Sequence, residues 1–328
     1  MLHRLAAVAL VAGILLVPTP AQASTTTCAD RAFPVTVAGL QLTMAGTLCA
    51  PADAHTLQIL VPGGFYNRAY WDIPLEPRSY RRAMNEAGYA TLAVDRLGTG
   101  TSSVPPSTVL TAITQAVAVH QVVAAMRPRY AKIILGGHSL GSAISIIEAG
   151  TFHDVDGVLV TGMGHHINVL GTAPIAATFV PADLDPAFRL RVLDPGYLTT
   201  LAGARYALHQ PGPNVPAAIG FDEANKDVAA PTELVDAALL GTVTPYTRLV
   251  DVPVLSAIAA GDPTFCGLLA TDCSSAASYL AAEAPFYGPG ARLRTYVLPG
   301  YGHAFNYAPN APDLYAAVVS WADRAVGR

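Results

Sequence analysis

Six short, almost wholly apolar runs punctuate this chain: TLQILVPG, YATLAVD, KIILGG, GVLVTG, PVLSAIAAGD and LRTYVLPG, each bounded by Gly, Pro or Asp. Between them lie stretches with helical spacing, among them SYRRAMNEAG, VLTAITQAVAVHQVVAAMRP and GSAISIIEAGTFH. Strands without polar alternation have no face to give to water, so they must be covered on both sides. A parallel sheet with crossover helices does this. The sequence therefore predicts an α/β fold with a mostly parallel central sheet flanked by helices. From about 165 to 249 the rhythm breaks and prolines crowd in, with YLTTLAGARYAL and APTELVDAALL expected as helical patches. Strand rhythm resumes at Val252, which predicts a helical cap inserted over a pocket rather than an independent domain.

The stretch ILGGHSLGSA directly follows one of the apolar runs and opens a helical one. A phosphate-binding Walker loop would need Gly-Lys-Ser/Thr, but Gly141 is followed by Ser142 and Ala143. A dinucleotide loop would need glycine where His138 stands. The pattern Gly137-His138-Ser139-Leu140-Gly141 instead fits a strand–turn–helix that carries a nucleophile. Such a turn forces Ser139 into an unfavourable backbone geometry and leaves no room for side chains at Gly137 and Gly141. The following helix aims its first amides at the hydroxyl, favouring developing negative charge.

A serine hydroxyl is a weak nucleophile until a base takes its proton. Among the histidines, His303 alone follows the last apolar run in a loop before the final helix. His138 lies inside the turn, where its ring is expected to point away from the hydroxyl. His55 and His153 read as surface residues, and His165 and His166 either touch substrate or belong to an ordinary loop. The imidazole needs a carboxylate to hold its tautomer. Asp262, closing PVLSAIAAGD, gives the chain order Ser139, Asp262, His303, with Asp251 and Asp272 as rivals. For the oxyanion, one donor is expected from the Leu140 N–H and a second from Gly64 or Phe65 in the loop after the first run.

Composition closes off other classes. Hydrophobic residues make up 52% of the 328 positions and charged residues only 13%, with a net charge of −4, so no basic stripe is available for nucleic acid or anionic lipid. The start, MLHRLAAVALVAGILLVPTPAQAS, has a basic end, an apolar run of about 13 residues and Ala21-Gln22-Ala23. It reads as a secretory signal (residues 1–23) ahead of a mature chain beginning at Ser24, too short for a stable membrane anchor. Four cysteines then suit two disulfides in an oxidising compartment. Three connectivities are possible, and local pairing, Cys28 with Cys49 and Cys266 with Cys273, is the simplest. No CxxC pair or clustered histidine spacing points to a metal.

Taken in order, VPGGF, VDRLGTGTSS, GHSLG, AAGD and GYGH make residues 55–325 resemble the α/β-hydrolase superfamily, and within it secreted carboxylesterases with a cap. Pro62 departs from the histidine many relatives carry before the oxyanion-loop glycine. The triad narrows the resemblance to acyl chemistry on a small ester with no cofactor, and Asp95 and Arg96 read as structural. The Pro- and Ala-rich cap with Phe179, Phe188, Tyr197, Tyr206 and Phe221 points either to an apolar substrate or to aromatics that pack the cap onto the core. A lactonase or lipase on the same triad, or a noncatalytic binding protein on the same scaffold, are the alternatives. Oligomeric state is not legible in the sequence.

Overall fold

The computed structural model describes residues 25–208, 212–213, 215–244 and 246–328, so the expected signal segment lies outside the described residues. All six apolar runs are strands of one eight-stranded sheet. A hairpin of β1 (Thr26–Val37) and β2 (Leu40–Pro51) leads into β3 (Thr56–Val61), α1 (Tyr80–Glu86), β4 (Ala90–Val94), α2 (Ala112–Met126), β5 (Lys132–His138), α3 (Leu140–Phe152) and β6 (Gly157–Thr161). An insertion follows, with α4 (Val169–Ala176), β7 (Phe179–Pro181), β8 (Leu198–Thr200), α5 (Pro216–Ala224) and α6 (Pro231–Ala238). The sheet then resumes through β9 (Val254–Ala259), α7 (Ala276–Glu283), β10 (Arg294–Leu298) and α8 (Ala311–Ala325).

The strand order is β1-β2-β4-β3-β5-β6-β9-β10. The hairpin is antiparallel and joins β4 antiparallel; every pair from β4 to β10 is parallel. Strands β3, β4, β6 and β9 are buried at every position, as their lack of polar alternation requires. Alternate residues serve two cores. Leu57, Ile59 and Val61 pack with Val119, Val122, Ile144 and Ile147 of α2 and α3, whereas Leu60 and Ala93 pack with Met84, Leu314, Val318 and Trp321 of α1 and α8. Among the described residues, no helix is long and apolar enough to cross a membrane.

Cys28 and Cys49 stand directly opposite in the hairpin register and are bonded. Cys266 and Cys273 close a small loop after β9. Each bridge restricts the unfolded chain, an effect worth about 2–4 kcal/mol.

The insertion carries a short hairpin as well as helices. In YLTTLAGARYAL, expected as helix, Leu198–Thr200 pairs antiparallel with Phe179–Pro181, and only a 3-10 turn forms at Arg205–Leu208. The reason is local and tertiary together. Buried, β-branched Thr199 and Thr200 favour extended backbone, the Thr199 hydroxyl donates to the Asp227 carbonyl at 3.0 Å, and Gly203 turns the chain at φ 77°. APTELVDAALL forms α6 as expected, then widens into a π turn at Leu239–Val243.

A buried ion pair ties the insertion to the body. The Arg96 guanidinium, just beyond β4, lies 2.5 Å from Glu233 Oε1 on α6, and both side chains are fully buried. Glu233 also accepts from Gln115 Nε2 at 2.8 Å and from the Ala230 amide at 2.7 Å. Arg96 donates to the carbonyls of Gly63 and Val228 at 3.3 and 3.2 Å. Removing one partner strands the other charge in a dry site. Glu233→Ala should therefore lower stability by about 3–5 kcal/mol in urea unfolding followed by circular dichroism, with Glu233→Gln recovering part of the loss.

Candidate active site

Ser139 sits between β5 and α3 with φ 52° and ψ −119°, a region that costs a non-glycine residue about 1–3 kcal/mol. Steric closeness imposes this bend. A Cβ at Gly137 would lie 2.2 Å from the Gly141 carbonyl, and one at Gly141 would lie 2.2 Å from the Val61 carbonyl oxygen. Hydrogen bonds hold it. The Ser139 amide donates to the Thr161 carbonyl at 2.8 Å. The Ser142 hydroxyl donates to the same carbonyl and accepts from the Thr161 amide, both at 2.9 Å. Ser142, which has no evident chemistry in the sequence, thus clamps α3 to β6.

Asp262 and His303 meet across the ends of β9 and β10. Their loops are laced by Ala260 N–H to the Leu298 carbonyl and Gly261 N–H to the Tyr301 carbonyl, both at 2.8 Å. His303 Nδ1 lies 2.8 Å from Asp262 Oδ2, and both residues are buried. The other carboxylate oxygen accepts from the Thr264 amide at 2.8 Å. With Nδ1 committed to a carboxylate, the imidazole keeps its Nε2 lone pair free for a proton. The rival acids lie elsewhere: Asp251 pairs with the exposed His153 at 3.2 Å, and Asp272 accepts from the Ser274 amide at 2.9 Å.

Ser139 and His303 line one cavity of about 200 Å³. Among the described residues no hydrogen bond joins them. Gly64, Phe65 and Leu140 line the same cavity, and none of their amides donates to another group among the described hydrogen bonds. Phe65 holds a positive φ of 63°, fixed by contacts from the insertion: its ring packs 4.5 Å from that of Phe179 and its carbonyl accepts from the Asp227 amide at 2.9 Å. The rest of the wall is mostly apolar, chiefly Met163, Ile167, Ile175, Leu234 and Phe265, with Thr172, Thr242 and Thr264 between them. A larger, open depression of about 1000 Å³ runs along β10 and α8, but no histidine or carboxylate lines it.

His138 is fully buried and its ring points into an aromatic layer. It stacks on Tyr70 at 4.4 Å and lies 4.9 Å from the His303 ring. Burial, helped by the neighbouring His303, holds its pKa well below the usual imidazole value, so it is a neutral floor beneath His303. His165 takes the structural option. Its Nδ1 lies 2.6 Å from Glu283, its Nε2 3.0 Å from the Thr247 hydroxyl, and its ring stacks on Phe286. Neither His165 nor His166 reaches the cavity. Of the aromatic residues in the insertion, Phe179 lines the cavity; Phe188 and Tyr197 are buried in the core shared with α2 and α3, and Phe221 packs against the other core. Asp95, also structural, accepts from the Arg68 and Thr101 amides at 2.9 Å each.

No curated protein matches the chain in sequence. Solved structures do match in shape. A thermophilic esterase from Thermogutta terrifontis aligns at TM-score 0.62 and 15% identity, over 91% of this chain and 99% of that one. A lipase in its open form aligns at TM-score 0.62 and 15% identity, over 92% and 100%. Carboxylesterase CesB from Bacillus subtilis aligns at TM-score 0.58 and 16% identity, over 89% and 91%. At such identities these likenesses speak to the fold alone. The family profile goes further: that of the alpha/beta hydrolase family matches residues 58–318, and with the sheet order and the turn at Ser139 in agreement, the chain belongs to the alpha/beta hydrolase family.

Proposed function

We propose that the protein is a serine hydrolase of carboxylic esters. The observation that carries this reading is the His303–Asp262 pair, 2.8 Å apart, opening onto the same apolar cavity as the strained Ser139. Ser139 Oγ attacks the ester carbonyl while its proton passes to His303 Nε2. Asp262 keeps Nδ1 protonated and stabilises the imidazolium. The oxyanion is met by the Leu140 amide and by that of Phe65 or Gly64. Collapse expels the alcohol, which takes the proton from His303. Water, deprotonated by His303, then releases the acid from the acyl-enzyme. No cofactor enters the scheme.

The insertion at 165–249 acts as the cap, since it supplies Ile175, Phe179 and Leu234 to the cavity wall. The leader read in the sequence and the two disulfides support secretion. A lipase reading has one observation of its own. Val169, Leu170, Leu268 and Leu269 are between 70% and 100% exposed, and flank segments that line the cavity.

A fluorophosphonate probe should label the wild type and leave Ser139→Ala unlabelled; equal labelling of both would overturn the assignment. Steady-state assays should show kcat falling about 10⁶-fold in Ser139→Ala and about 10⁴-fold in Asp262→Asn. A cavity of about 200 Å³ is small for a long acyl chain. Chromogenic esters from acetate to palmitate should therefore give the highest kcat/KM at or below hexanoate, and Leu234→Ala should move the optimum to longer chains. Activity that peaks on palmitate emulsions would favour the lipase reading.

A further inference from the structure

At the end of α3 opposite the active site, three side chains converge that the chemistry above does not use. His120 comes from α2, Glu148 from the last turns of α3, and Asp154 from just beyond its end. His120 Nδ1 lies 2.8 Å from Asp154 Oδ2 and 3.7 Å from Glu148 Oε1, and one ligand atom from each residue falls within 4.8 Å of the others. We infer that His120, Glu148 and Asp154 form a binding site for a divalent cation of the zinc class.

The argument turns on Glu148. Its side chain is fully buried and no donor reaches either carboxylate oxygen among the described residues. Burial and the acid Asp154 beside it push its carboxyl up to about 9, and the two acids bond one another only through a shared proton, which a cation would replace. Leaving a buried polar group unmatched is costly, and a cation meets that need directly. Asp154 Oδ1 is also buried without a donor, its one possible bond being to Glu148 through a proton held between the two acids. The nearby guanidinium of Arg127 is committed elsewhere, to Asp156 Oδ2 at 2.7 Å and to the Asp154 carbonyl. Ligands at about 2.1 Å from a tetrahedral ion stand about 3.4 Å apart, so sub-ångström to ångström adjustments bring these three into place. The His120 ring is already oriented, stacked on Phe152 at 3.8 Å. The end of a helix, with its unpaired carbonyls, also favours a positive charge.

The donor set selects the class of ion. One imidazole and two carboxylates suit zinc, whereas calcium and magnesium favour all-oxygen shells. The side chains of His120 and Asp154 are 33% and 27% exposed, which leaves an access route and a position for water. Glu148 lies nine residues after Ser139, about 14 Å along the helix, so the ion braces α2 against α3 and takes no part in ester cleavage. The rival arrangement is a neutral Glu148 that donates its proton to Asp154 and needs no ion.

The test uses untagged, metal-stripped protein. Zinc chloride should bind at one ion per chain by calorimetry and elemental analysis and raise Tm by about 3–6 °C. His120→Ala and Glu148→Gln should each lose the shift and weaken binding at least 100-fold, while exposed His55→Ala keeps both. Should His120→Ala fold poorly, Asp154→Asn provides a second ligand deletion. Absence of stoichiometric zinc binding, or equal binding in Glu148→Gln and wild type, overturns the site. A response to calcium or magnesium without one to zinc overturns the assigned class.

Discussion

Much of the molecule depends on one steric fact: three stretches of backbone meet with no room for a single extra carbon. Gly137 faces Gly141, and Gly141 faces the carbonyl of Val61, so β5 can turn into α3 only by pushing Ser139 to φ 52°. That strain persists because its surroundings over-determine it. The parallel register of β3 with β5 places Val61 opposite Gly137, and Thr161 of β6 holds the turn from the other side. Distortion at one residue is thus offset by two neighbouring strands and the cores behind them.

The same register explains why the remaining polar groups gather at one edge. In an open parallel sheet all strands point the same way, so the loops after β3, β5, β9 and β10 emerge together. Gly64 and Phe65, Ser139, Asp262 and His303 occupy those loops or their starts. Residues from 64 to 303 meet because topology collects carboxyl ends, and the final placing is left to short hydrogen-bonded loops.

What was legible in the sequence follows from range. The six strands and the first helices come from local patterns of apolar residues, and each lies where the pattern put it. The turn at Ser139 was legible because its glycines, serine and flanking strand are contiguous. Asp262 and His303 could be singled out because each follows a recognisable strand, although their adjacency is a property of the fold. Features that depend on distant partners were hidden. The β-hairpin at Leu198–Thr200 needs Phe179–Pro181 beside it. Arg96 could be read as structural, but not its pairing with Glu233, 137 residues away. The cavity wall could not be read either, since Met163, Ile175 and Leu234 are ordinary apolar residues until the insertion folds back over Ser139.

The contacts around Phe65 divide the insertion into two kinds of position. Asp227 fixes the carbonyl of Phe65, Phe179 presses on its ring, and Glu233 anchors the neighbouring Gly63 through Arg96. Altering these residues disturbs the backbone beside Ser139 as well as the shape of the cavity. Ile167 and Ile175, by contrast, offer only apolar surface to the cavity and can change in size without unseating an amide. Change in size is therefore easiest at α4, while Asp227 and Glu233 hold their end of the insertion in place, so that one inserted segment is at once adaptable wall and fixed scaffold.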